Sequence, residues 1–257
     1  MGSYLSLIIL TICSIGLVLS GLVFTRKILN KFYTGQYEHQ ASACLSIAAT
    51  SYSIVLGLIV ASALSDFQAA RVNVQDEATC LRNIYHICYG MPIDFKTKME
   101  NAIIAYTNLV VTDEWKAMDK GDYSVSARME FLKIWSIIAG FKPKDNQESN
   151  LHAQLLNLIT NVSDARHKRL LAASPSFGPV IHSFLWCGGL ITIMFTYFFY
   201  LKNFSLQIFM TVLVTLLILF NLLMVEMFGY PFSGDLKIKP DAFVFDLNGY
   251  EFEKMHY

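Results

Sequence analysis

The sequence predicts an all-α integral membrane protein: four transmembrane helices, a helical extramembrane bundle inserted between spans 2 and 3, and a second span that continues as a long helix. Three observations carry this expectation. Of 257 residues, 54% are hydrophobic and only 16% are charged, against about 25% charged in ordinary soluble domains. Four stretches (1–25, 39–65, 170–201 and 203–225) contain no Asp, Glu, Lys or Arg, and a helix of about 20 apolar residues crosses a bilayer core. The charges are also unevenly placed, with 26 of the 40 falling in 66–179. The expected division is therefore 1–65 with spans at about 4–25 and 41–65, an extramembrane domain at 66–179, spans at about 180–201 and 205–226 within 180–228, and a tail at 229–257.

The formal net charge is zero, and no basic stripe offers to neutralise a nucleic-acid backbone, so nucleic acid is excluded as a partner and the lipid bilayer takes its place. Five cysteines, three of them in strongly apolar runs, do not suggest a disulfide framework. No phosphate-binding glycine loop, nucleophile elbow or zinc-protease motif occurs. His86 and Cys88, the one close His/Cys pair, diverge by about 200° on a helix. No enzyme, cofactor or metal site is expected.

Span 1 lacks the positive amino end of a signal peptide and is too long for one, so it reads as a retained anchor. Arg26, Lys27, Lys31 and Lys202 fall on one side of the membrane. Arg71, Arg166, Lys168, Arg169, Lys237 and Lys239 fall on the other; this larger set favours a cytoplasmic 66–179 domain, whereas the uncharged amino end followed by three basic residues favours the opposite, and the first is the expectation taken. In span 2, Ser46, Thr50, Ser53, Gly57 and Ala61 share an arc of roughly 80° on one helix face. Such a smooth, hydroxylated face suits close helix packing or the wall of a pore; composition does not choose between them.

Neither Gly nor Pro occurs from Leu58 to Tyr89, so the helix is expected to run on. Beyond the apolar part Phe67, Val74, Leu81 and Cys88 repeat every seven residues, with Ala70 and Ile84 in the second seam position and Glu77 where an apolar residue is expected. Gly90 and Pro92 end this helix. Helices are then expected at about 93–118, 124–139 and 146–173. On the first, Met99, Ile103, Tyr106 and Val110 share a face, while Asp113 and Glu114 beside Trp115 are expected on the solvated half of the helix end. On the last, Leu151, Leu155, Leu158 and Val162 define an apolar face that has Arg169 at its centre and Arg166 at its flank. A charge on an apolar face needs a partner. Glu77 is expected to pair with Arg169 or Arg166, as a structural ion pair or as a gate. Pro175 and Pro179 open span 3, a tight hairpin around Lys202 joins spans 3 and 4, and Glu226 closes span 4 as a near-membrane acid, an anchor or a functional group.

Several motifs together resemble one family. They are Asp113-Glu114-Trp115 with Met118 and Gly121, Ser163-Asp164-Ala165-Arg166 with Arg169-Leu170, and Gly189, Thr192 and Phe195 in span 3. Gln207 with Met210-Thr211, Pro231-Phe232 with Gly234-Asp235, and Pro240, Ala242 and Phe243 extend the match. Upstream, Tyr52, Gly57, Glu77-Ala78, Leu81, Tyr85 and Pro92 fit as well. This set is similar to the bestrophin-like domain family, mostly bacterial four-span membrane proteins of unknown function. The resemblance implies a bacterial inner-membrane protein, likeness in layout to oligomeric anion channels, and hence a homo-oligomer passing inorganic ions. The chain departs from the pattern at Gly229, where the family often carries an acid, and in span 2, which lacks the aromatic and aliphatic constriction of bestrophins. Two functions stand against each other: an oligomeric ion channel lined by span 2, and a non-conducting scaffold or sensor whose helical domain binds a partner.

Overall fold

The computed structural model describes residues 2–29, 38–198 and 203–256. Lys31 and Lys202, on which part of the orientation argument rests, lie outside them, as does the turn around Lys202. The described chain is helical, with no strand among the described residues: α1 Gly2–Leu29, α2 Glu38–Ile87, α3 Ile93–Leu109, α4 Trp115–Met118, α5 Val125–Gly140, α6 Asn146–Leu171, α7 Pro179–Tyr197, α8 Phe204–Gly229 and α9 Asp241–His256. Among the described residues four helices are long and apolar enough to cross a membrane: α1, α2, α7 and α8. The chain divides into two compact units, one of 1–64 with 177–229 and one of 65–176 with 230–257.

In the first unit α1, α7 and α8 pack on one another around Val18, Leu185, Ile193, Ile218, Leu222 and Val225, and Leu56 of α2 joins this cluster. Large apolar side chains such as Leu17, Phe24, Val180, Phe184, Leu217 and Phe220 point outward, which is stable when the surroundings are hydrocarbon. Apolar contact alone does not fix helix positions in lipid, so polar groups help. The Tyr197 hydroxyl donates to the Val18 carbonyl at 2.9 Å, and Arg26 donates to Gln207 Oε1 at 2.7 Å. His182 Nε2 meets Glu226 Oε2 at 3.1 Å, linking the start of α7 to the end of α8. Thr192 and Thr215 return their hydroxyls to carbonyls of their own helices, Gly188 and Thr211.

Besides the apolar contacts of Leu56, Ile59 and Val60, a hydrogen bond ties α2 into this unit. The Tyr52 hydroxyl donates to the Leu185 carbonyl at 2.9 Å, and its ring lies against α7 where two glycines leave room. A Cβ added at Gly188 would stand 2.6 Å from the Tyr52 ring, and one at Gly189 would stand 3.0 Å from Ile218 and 3.1 Å from the Tyr52 hydroxyl. Gly188→Ala is therefore expected to destabilise the protein by about 1–3 kcal/mol through overpacking, read as a lowered melting temperature in detergent. A melting temperature equal to that of the parent would refute the close fit.

The second unit is a bundle around Leu81, Ile84, Met99, Ile103, Ile134, Ile138, Leu155 and Ile159. Two of its helices, α5 and α6, start at side-chain caps. Ser124 Oγ accepts from the Ala127 N–H, and Asp145 accepts from the Glu148 N–H while the Glu148 carboxylate accepts from the Lys144 N–H. Gly121 turns the chain after α4 with φ +73°, a conformation other residues adopt only with strain. The tail expected at 229–257 contains α9, which packs against α3. Phe232, Phe243 and Tyr250 belong to the bundle core.

The single helix expected over 93–118 is corrected. It is interrupted at Val110–Glu114 by a π-helical turn. One extra residue in that turn rotates everything after it by about 100°, which brings Trp115 and Met118 onto the buried face begun by Met99 and Tyr106.

Candidate functional site

Two features of the chain carry charge or polarity in unusual places, one in each unit. In the 65–176 unit, Glu77 of α2, Glu114 of the π turn and Arg169 of α6 are fully buried, and Arg166 is nearly so. Arg169 Nε donates to Glu77 Oε2 at 2.6 Å and its Nη2 to Glu77 Oε1 at 3.0 Å. This fork-to-carboxylate geometry is the strongest form of the pairing. The same Nη2 donates to Glu114 Oε2 at 2.8 Å, and Nη1 to the Met118 sulfur at 2.8 Å. Arg166 Nη2 donates to the other oxygen of Glu114. The Tyr106 hydroxyl donates to Glu77 Oε1 at 2.5 Å. Two carboxylates and two guanidinium groups balance, and Trp115 and Phe243 stack near Arg169, 5.4 and 5.7 Å from ring centre to guanidinium carbon.

The geometry thus brings Glu77 and Arg169 together, whereas Arg166 meets Glu114. Glu114 itself is a correction to the sequence reading: it is buried, because the π turn aims it inward, whereas Asp113 stays on the outside and accepts from Ser124 Oγ at 2.7 Å. Tyr106, counted as an apolar-face residue, supplies a hydroxyl to the cluster.

Burial disfavours the charge on Arg169, but the Glu77 carboxylate, its hydrogen bonds and Glu114 outweigh that and hold its pKa above the usual value. Burial first, and the adjacent Glu77 charge second, keep the Tyr106 phenol protonated well above the ordinary range. Burial, with Asp246 next, does the same for Tyr250. These raised values give stability a definite sign. Below about pH 10, the pKa of a free tyrosine, the phenols are protonated whether the chain is folded or not, and their contribution is complete. Above it the unfolded chain sheds protons that the native state keeps, so stability falls as pH rises. A melting temperature that declines steeply above about pH 10, and less steeply in Tyr106→Phe, is the expected result; identical slopes would refute it.

The second feature is the small-residue face of α2. Ser46, Thr50, Ser53, Gly57 and Ala61 are all exposed on the chain. The side of α2 that packs within the unit, Tyr52, Leu56, Ile59 and Val60, is centred roughly 115° around the helix. Nothing lies within 4 Å of a Cβ built on Gly57. Thr50, Ser53 and Gly57 also line a groove of about 560 Å³ whose other walls include Thr192, Leu217 and Asn221. Ile47, Ile54 and Leu58, exposed by 69%, 59% and 67%, flank the same face. Glu226, the near-membrane acid, is largely exposed and faces His182. It joins neither feature.

A profile of the Bestrophin-like domain matches residues 12–243. A crystal structure of a bacterial bestrophin homolog from Klebsiella pneumoniae with an isoleucine-to-threonine mutation is similar in fold, with TM-score 0.73 at 11% identity over 95% of this chain and 98% of that one. An aspartate-to-alanine mutant of a Klebsiella pneumoniae bestrophin homolog gives TM-score 0.73 at 12% identity, over 98% of this chain and all of that one. A further structure from that organism, phased with zinc, gives TM-score 0.63 at 12% identity over 92% and 96%. No curated protein matches the chain in sequence. With four apolar helices, this fold and a profile match over nearly its whole length, the chain is an integral membrane protein and belongs to the bestrophin-like domain family.

Proposed function

We propose that the chain is one subunit of an oligomeric ion channel, with α2 helices of several copies arranged around a shared axis and the 65–176 unit forming a vestibule on the cytoplasmic side. The observation that carries this reading is the uncovered face of α2. A membrane helix that served only to pack within its own chain would turn its small residues inward, where backbones approach closely. Here a large Tyr and Leu pack inward, and the hydroxyls face out. Flanking exposed isoleucines and a leucine offer a neighbouring copy an apolar contact beside a wall of hydroxyls.

Such a wall has no formal charge. It can replace part of an ion's hydration shell through hydroxyl oxygens and protons without choosing the sign of the ion. Permeability to anions rests on the family resemblance alone. The buried Glu77, Arg166, Arg169 and Glu114 cluster has its charges matched within the unit, which suits a rigid support for the lower part of α2 better than a site that ions enter.

Purified protein reconstituted in liposomes is expected to form a symmetric oligomer and to pass chloride or potassium above the leak of empty vesicles. A monomer, or a symmetric oligomer silent toward both ions across pH and calcium, would instead support a non-conducting scaffold or sensor that docks a partner.

A further inference from the structure

A second cavity, of about 410 Å³, lies within the 65–176 and 230–257 unit, between α2 and the segment that leads into α9. Arg71 and Gln75 stand one turn apart on α2 and line one wall; Lys237 and Lys239 line the other. Lys237 is held by Asp119 at 3.2 Å. Arg71 and Lys239 make no ion pair among the described residues. Asp241 is also in the lining and offsets one positive charge, so the cavity keeps an excess of cations.

The amino end of α9 adds to this. Its first intrahelical bond runs from the Val244 N–H to the Pro240 carbonyl at 3.0 Å, so the amides of 241–243 have no intrahelical acceptor and carry the positive end of the helix dipole. Asp241 and Ala242, in that first turn, line the cavity. Two unpaired cations, a lysine and a helix amino end converging on one cavity suit an anion with several oxygens, and a phosphate group has them. The rest of the lining is apolar, with Phe67, Val74 and Leu236, which leaves room for a nonpolar body attached to the phosphate. Trp115 Nε1 donates to the Ile238 carbonyl at 3.0 Å, fixing the segment that carries both lysines.

We propose that this cavity binds the phosphate group of a phosphate ester, held by Arg71, Lys239 and the amino end of α9. Both contributing segments follow an apolar helix in the chain, 65–75 after the apolar part of α2 and 236–242 after α8. The ester can therefore come from a phospholipid headgroup or from a soluble molecule. The site does not depend on ion conduction.

The test uses the full chain in phosphatidylcholine nanodiscs and reads the melting temperature. One arm adds sodium pyrophosphate against sodium chloride of matched ionic strength; the other adds phosphatidic acid to the nanodisc lipid. A site on the native state stabilises it by mass action, so a rise of about 3 °C or more is expected in at least one arm. Arg71→Gln with Lys239→Gln is expected to abolish the rise. Lys142→Gln with Lys144→Gln removes the same charge from exposed positions elsewhere on the unit and is expected to keep it. A rise with pyrophosphate assigns a soluble source of the phosphate group, and a rise with phosphatidic acid alone assigns a lipid. No rise in either arm, a rise that survives Arg71→Gln with Lys239→Gln, or an equal loss in both double variants would overturn the proposal. Should the first double variant melt below the parent without ligand, Lys239→Gln alone is read, with at least a tenfold weaker half-saturation expected.

Discussion

Arg169→Met is expected to cost about 3–5 kcal/mol, the largest single-residue effect on stability in this chain, because it strands a charge where water cannot reach. Arg169 is fully buried and holds two carboxylates at once, Glu77 by two hydrogen bonds and Glu114 by one. After the substitution Glu114 keeps Arg166, but Glu77 keeps only the Tyr106 hydroxyl. A hydroxyl hydrogen bond does not offset the desolvation of a carboxylate. For a chain of this size the loss corresponds to a fall of roughly 6–20 °C in melting temperature. Glu77→Gln combined with Arg169→Met removes the stranded charge along with its partner, and the double variant is expected to melt well above Arg169→Met alone. That ordering separates a matched buried pair from two independently important side chains. A fall below about 2 °C for Arg169→Met would mean that water reaches Glu77 and that the cluster is not the support described above.

Part of this cluster is legible in the sequence. Glu77 interrupts a seven-residue apolar seam, and Arg169 interrupts an apolar helix face; two opposite charges in such places imply one another, since neither is tolerated alone. Glu114 is only half legible: at 100° per residue it and Asp113 fall on opposite edges of the face that ends at Val110, so straight geometry does not choose between them. The π turn at Val110–Glu114 moves Glu114 to the centre of that face and Asp113 off it, and the sequence signals it through Trp115 and Met118, two large apolar residues that straight α geometry places off the buried face. Tyr106 was legible as core and illegible as a donor, because its hydroxyl acquires a role only from the carboxylate across from it. The tail was hard to read for another reason. In α9 exposed Phe245 and Phe252 lie among buried Phe243, Asp246 and Tyr250, so no apolar stripe stands out. Its place in the bundle is set by partners on α2, with Arg82 meeting Asp246 at 3.1 Å and Tyr85 stacked on Tyr250.

In α2, periodicity identified a face but not its neighbour, and the second large effect follows from what the fold leaves open there. Gly57→Phe and Ala61→Phe are each expected to cut ion flux in liposomes at least tenfold while leaving melting temperature and oligomer size unchanged. Both positions are exposed on the chain, and a Cβ at Gly57 meets nothing within 4 Å, so neither substitution disturbs the protomer. Ala61 lies outside the groove that Thr50, Ser53 and Gly57 share with α8, so a ring there cannot settle into that groove. If the face lines a shared axis, each copy adds one ring to a constriction, and a barrier of only about 1.4 kcal/mol gives a tenfold loss. If the face instead packs against a neighbouring helix, the added rings prevent close approach, and oligomer size or melting temperature falls with both variants. Flux equal to the parent, with size and stability preserved, would remove α2 from the conduction path. The two variants thus separate pore wall from packing surface, the choice that composition left open.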